Sequence, residues 1–140
     1  MKRSLIVETV GSMLLLRENR HTPTDRDWDD FLAVLVENRP NFQRLKILVV
    51  TDGGGPNADQ RKRLERALDG KPVRVAVVTD STKVRFIVSS IALLNREIKT
   101  FSRSEISDAY EHLTLTPVER RLAEQTLTRL EDQIDPELKL

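Results

Sequence analysis

The chain has no cysteine. Disulfides, thiolate catalysis and cysteine-built metal sites are therefore excluded, while any compartment remains compatible. Charge of one sign is also lacking. A formal net charge of +1 gives no bulk attraction to nucleic acid or anionic lipid, and leaves room only for a local patch. No apolar run approaches the roughly 18 residues of a membrane helix, so no span is expected. The start, "MKRSLIVETVGSMLLLREN", is basic and then apolar in the manner of a secretory signal. Glu8 interrupts the apolar run, however, and no small-residue cleavage site follows. A cytoplasmic protein is the expectation. What is present is ordinary for one domain: 140 residues, 39% hydrophobic and 32% charged.

Residues 5–10 and 13–17 are short runs rich in branched residues. Gly11-Ser12 between them signals a two-residue turn and an antiparallel hairpin. Thr24 is placed to cap a helix, with Asp27 as its partner in a capping box. Trp28, Phe31, Leu32, Leu35 and Val36 form the stripe of that helix, which stops before Pro40. "LKILVV" (45–50) and "VRVAVV" (73–78) are nearly continuous apolar runs, as in strands buried on both faces of a parallel sheet. Between them, 57–69 reads as a charged helix with a thin apolar edge of Leu64, Ala67 and Leu68, closed by Gly70. The three elements make a βαβ unit. A further helix spans 81–94, with Val84, Ile87, Val88 and Ile91 inward. Phe86 and Leu93, with Ser89 and Ser90, lie on its opposite side, so this helix has two faces to cover. A short strand at 97–101 follows. Ser102 with Glu105 opens a helix that turns Ile106, Ala109, Tyr110 and Leu113 inward. Thr116-Pro117-Val118-Glu119 opens the last helix, which carries Ala123, Leu127, Leu130 and Ile134 and ends near Asp135-Pro136. The expected fold is α/β, a mixed sheet flanked by helices in the order ββαβαβαβα, with an extra C-terminal helix.

The stretches "LLLRENRHTPTDRDWDDFLAVL", "RLKILVVTDGGG", "VRVAVVTDSTKVRFIVSSIALL" and "EIKTFSRSEISDAYEHL", in that order and spacing, resemble the STAS, or SpoIIAA-like, superfamily of small bacterial domains. The resemblance covers about residues 5–113, with the helix at about 116–134 appended. It implies a single non-enzymatic domain that works in regulation or signalling by binding a protein partner. Anti-sigma-factor antagonists of that superfamily carry a phosphorylated serine after the third strand. The corresponding stretch here is Asp52-Gly53-Gly54-Gly55-Pro56, with Thr51 before it in the strand. A serine phosphoswitch is therefore not expected.

Gly53, Gly54 and Gly55 also invite a nucleotide reading. Gly53-x-Gly55-x-x-Ala58 loosely matches a dinucleotide fingerprint, and Asp80 ends the next strand where a ribose-binding acid sits. Pro56 removes one amide from such a cradle, and no Walker lysine follows. The plainer reading is a strand-to-helix turn. Asp52 and Asp80, on adjacent strands, would share the carboxyl edge and make a site for a small ligand, a nucleotide or Mg²⁺. The alternative is that Asp52 stabilises its turn and Asp80 caps the next helix. Arg61, Lys62, Arg63 and Arg66 line one helix, with Lys71 and Arg74 nearby. Acids interleave and no aromatic accompanies them, so a solvated face is favoured over nucleic-acid binding. His21 and His112 stand alone, without metal-ligand spacing. No catalytic constellation, cofactor or metal is expected. The face of Phe86, Ser89, Ser90 and Leu93 is the candidate interface. Either the C-terminal helix covers it, or a protein partner or second copy does.

Overall fold

The computed structural model describes residues 3–134. It is an α/β fold of one five-stranded mixed sheet and five α-helices. Strand β1 (Leu5–Val10) turns at Gly11-Ser12 and pairs antiparallel with β2 (Met13–Glu18), with Val10 opposite Met13. Gly11 has a φ of 61°, the left-handed geometry a two-residue hairpin needs at its first central position. Strands β3 (Lys46–Thr51), β4 (Arg74–Val78) and β5 (Ile98–Phe101) then add in parallel, so spatial order follows sequence order.

That order fixes where the helices go. Parallel neighbours are joined by right-handed crossovers. Sequential strands joined this way must place every crossover helix on one face. Helices α1 (Asp25–Glu37), α2 (Ala58–Leu68) and α3 (Thr82–Ala92) do lie together over Leu14, Leu16, Ile47, Val75 and Val77. The opposite face carries Met13, Leu15, Leu48, Val50, Ala76 and Val78. It is closed by α4 (Ile106–His112) and α5 (Pro117–Glu131) through Ala109, Tyr110, Leu113 and Ala123. The alternation of buried residues in β2, β3 and β4 is the strand period of two, with both faces covered.

Several local expectations need correction. Thr24 caps α1 by accepting from the Asp27 amide at 3.1 Å, but the Asp27 carboxylate does not reach back to complete a box. It is held instead by Arg3 and by the Ser4 hydroxyl at 2.7 Å, which ties the chain start to α1. Val36, expected on the inner stripe, is exposed, because it sits about 100° around the helix from Leu35, which takes the inward position in the last turn. The left-handed turn after α2 begins at Asp69 (φ 51°) and continues into Gly70 (φ 71°). A 3₁₀ turn, Arg103–Glu105, takes the capping box of Ser102 and Glu105, so α4 itself starts at Ile106. Helix α5 ends at Glu131, and the expected stop at residues 135–136 lies outside the described residues. Among the described residues, no helix is long and apolar enough to cross a membrane.

Candidate functional site

The parallel strands end together. Glu18 pairs with Thr51, and Val50 with Val78, so Arg17, Glu18, Thr51, Asp52, Thr79 and Asp80 crowd one edge of the sheet. This is the edge at which open α/β sheets hold ligands. Asp52 and Asp80 do line one cleft there, of about 610 Å³. Their surroundings were not visible in the sequence. Arg17, only 3% exposed, lies between them and α5. Its Nε donates to Glu131 at 2.7 Å and its Nη2 to both Asp52 oxygens at 3.0 Å. Arg103 bonds Asp52 from the other side. Burial would lower the pKa of Arg17, but the hydrogen bonds to Glu131 and Asp52 outweigh it and hold it above its ordinary value. The same bond to Arg17 pulls Glu131 below the usual carboxylate range.

Arg17 thus acts as a rivet between the sheet and α5. Arg17→Met should lower the unfolding free energy by about 2 kcal/mol. The loss stays below that of a fully buried pair because Glu131 is half-exposed and Asp52 keeps Arg103. Urea denaturation measures it, and an unchanged midpoint would show that the network contributes nothing net.

Asp80 does not cap α3. Ser81 does, its hydroxyl accepting from the Val84 amide at 3.2 Å. Asp80 accepts instead from the Arg103 amide at 3.0 Å. Both acids of the candidate Mg²⁺ pair are therefore engaged by Arg103 or Arg17. Among the described residues, no group of three acids or histidines is arranged to hold a metal ion.

The glycine run crosses the chain segment 19–21. Gly54 is the tightest point: a Cβ there would sit 2.1 Å from the His21 carbonyl oxygen and 2.6 Å from that of Asn19. Three successive amides are already used. Asp52 donates to the Glu18 carbonyl at 3.1 Å, Gly53 to the Thr51 hydroxyl at 3.2 Å, and Gly54 to the Asn19 carbonyl at 2.9 Å. A phosphate cradle needs those amides turned outward. Here they stitch two segments of the carboxyl edge together. Gly54 and Gly55 are buried, and they line the opposite side of the sheet from Asp52 and Asp80.

Comparison with known proteins found no matching family model, curated protein or solved structure. Function must therefore be argued from the chain's own geometry. The helix α3 stripe lies open. Phe86 is 78% and Leu93 83% exposed, joined by Leu94 at 64%. Helix α5 cannot cover them, since it packs on the other face of the sheet. The Ser89 and Ser90 hydroxyls bond their own helix carbonyls, at Arg85 and Ile87. On α2, Arg63 pairs with Asp25, Asp29 and Asp59, in line with a solvated, ion-paired face. His112 Nε2 meets the Glu97 carbonyl at 2.9 Å.

Sequence reasoning missed Arg17, Glu18, Arg103 and Glu131. One signal was available. An apolar strand that continues into Arg17-Glu18 and pairs in parallel on one side and antiparallel on the other must bury both charges.

Proposed function

We propose that this chain is a non-enzymatic interaction module, STAS-like in character, that docks a protein partner or a second copy of itself through the outer face of α3. The observation that carries this reading is the exposure of Phe86 and Leu93 on a helix whose inner face already packs on the sheet through Val84 and Val88. Large apolar side chains grouped on one helix face, with small serines between them, suit close packing against another surface. The glycine-rich stretch at the position of the family's switch serine fits a module without that switch.

Phe86→Asp and Leu93→Asp test it. Both positions are exposed, so each change should leave stability within about 0.5 kcal/mol. Each should abolish self-association in sedimentation, or binding of the partner identified by cross-linking. A chain that stays monomeric and cross-links to nothing removes the reading, as does partner binding that survives both changes.

A ligand-sensing role for the carboxyl edge draws on the cleft shared by Asp52 and Asp80. Its lining sets two arginines against three carboxylates, Asp52, Asp80 and Glu131. A polyphosphate would meet net negative charge there, so the α3 face is the stronger reading.

A further inference from the structure

Helix α3 differs from the other helices in charge. Each of α1, α2, α4 and α5 carries an acid in its first turn, and α3 carries none. From Ser81 to Arg96 the chain has no acid at all, only the cations Lys83, Arg85 and Arg96. Among the described residues, none of these three is ion-paired with a carboxylate. Arg85 donates to the Thr79 carbonyl at 3.4 Å, and Lys83 and Arg96 are exposed. The acids that bracket α3 in sequence are engaged elsewhere. Asp80 accepts from the Arg103 amide, and Glu97 pairs with Arg74 at 3.5 Å. Glu105, which feels the Arg85 charge, is bonded to Ser102 at 2.9 Å. Glu65 on α2 lines the cleft beside Leu94 together with two cations, Arg61 and Lys71. The surroundings of α3 are therefore positive.

The cations frame the apolar face. At about 100° per residue, Lys83 lies about 60° from Phe86 on one side and Arg85 about 100° on the other. The helical turn continues past Leu94, with the Asn95 amide bonded to the Ile91 carbonyl at 3.0 Å, so Arg96 closes the far end. Val84 and Val88 hold the inner side of α3 on the sheet, and Ile87 and Ile91 are half-buried. On the outer side Phe86 and Leu93 stand two turns apart, about 10 Å, with Ser89 and Ser90 between them. Both serine hydroxyls donate to carbonyls of their own helix, so an apolar side chain can cover them without orphaning a donor. Two large side chains with a saddle of small ones between them fit the ridge of another helix. A bilayer surface would draw nothing from the saddle.

Charge decides which helix. A two-fold axis through Ser89 and Ser90 would seat Phe86 on Leu93 of a second copy, and by the same spacing it would seat Lys83 on Arg96 of that copy, at both ends of the contact. A parallel arrangement sets Lys83 against Lys83. Like charges face each other in either case, which costs affinity. Carboxylates flanking an apolar stripe meet the opposite sign at both ends.

We propose that the partner of the outer α3 face is an acidic amphipathic helix rather than a second copy of this chain, with an apolar side chain seated on Ser89 and Ser90 and carboxylates meeting Lys83, Arg85 and Arg96. This rests on the docking reading above and names the chemistry of its partner.

The probe is a fluorescein-labelled helical peptide of about 15 residues, about 22 Å long, with leucine on one stripe, glutamate beside that stripe, and alanine and glutamine elsewhere. A twin carries lysine in place of each glutamate. In anisotropy titrations of the full chain, the glutamate peptide should bind saturably and about tenfold or more tightly than the twin. Phe86→Asp should abolish binding. Lys83→Glu should weaken it about fivefold, and Arg121→Glu, an equal change of net charge on α5 at the opposite face of the sheet, should not. Lys83→Glu puts an acid in the first turn of α3, where the helix dipole favours one, so its effect cannot come from unfolding. The chain alone should sediment as a monomer. A dimer lost in Phe86→Asp would leave the docking reading standing and overturn this one. Equal binding of the two peptides, or undiminished binding by Lys83→Glu, overturns it as well. Sedimentation with vesicles of phosphatidylcholine and phosphatidylserine, lost in Phe86→Asp, would assign the face to a membrane and do the same. Binding of neither peptide overturns this proposal, whereas the docking reading falls only if cross-linking also finds no partner.

Discussion

Between about pH 5 and pH 7.5 the free energy of unfolding should fall by on the order of 3 kcal/mol, and Glu18→Gln should remove most of that slope. Glu18 ends β2 on the face covered by α1, α2 and α3, where it is fully buried. Burial pushes its pKa from 4.5 up to about 8, against a smaller downward pull from Thr51 and Arg17. The Thr51 hydroxyl is shared with the Gly54 carbonyl at 2.7 Å, and its pull on Glu18 is smaller than the effect of burial. Throughout the window from 4.5 to about 8 the folded chain keeps a proton that the unfolded chain releases. Stability is therefore fully present below that window and is lost as pH rises through it, by about 1.4 kcal/mol per unit. The depressed carboxylates act elsewhere. Asp27, where hydrogen bonds from Ser4 and Arg3 outweigh burial, and Glu131, held by Arg17, contribute stability that is lost only in acid. Urea midpoints across the pH range measure the effect. A flat profile in the unsubstituted chain, or an equal slope in Glu18→Gln, would mean that Glu18 is ionised in the folded state.

The contrast between Glu18 and Ile87 shows what the sequence could reveal. The strands and their parallel pairing were legible because β3 and β4 are apolar at nearly every position, a pattern that only a doubly covered sheet explains. The caps at Thr24 and Thr116 act through local bonds three residues away, and local bonds follow from local sequence. What could not be read depends on which elements meet. Arg17 and Glu131 are 114 positions apart, and nothing in either segment announces the other. Ile87 and Ile91 sit on a well-formed inner stripe, so periodicity assigns them to the core. Their partial exposure follows from how far α2 stands from α3, a tertiary distance that no helical period encodes. The outer stripe of Phe86 and Leu93 was legible as an excess of apolar surface. That α5 leaves it bare follows from the sequential strand order, which sends α3 and α5 to opposite faces.

Gly54→Ala should be the most damaging small substitution at the carboxyl edge, at about 4 kcal/mol or more, enough to unfold many domains of this size. The added methyl would meet two backbone carbonyl oxygens, of His21 at 2.1 Å and Asn19 at 2.6 Å. Backbone cannot rotate out of the way as a side chain can. Relief requires parting the segments, which breaks the Gly54 amide bond to Asn19 and the Thr51 hydroxyl bond to the Gly54 carbonyl. Those bonds are buried, so each group left without a partner adds about 1–3 kcal/mol. The neighbouring glycines separate this cause from others. Gly53 has room around its Cβ position but a φ of 136°, so Gly53→Ala should cost about 1–3 kcal/mol through backbone strain. At Gly55 the nearest atom is the flexible Ile87 Cδ1 at 3.3 Å, so Gly55→Ala should be mild. A phosphate-binding loop would give a different ranking, because glycines in such a cradle are needed for ligand approach rather than for folding. Thermal unfolding of the three variants without ligand discriminates the two. Equal, small losses at all three would return the stretch to a ligand-binding role, whereas a collapse confined to Gly54 identifies it as the crossing point of two backbone segments.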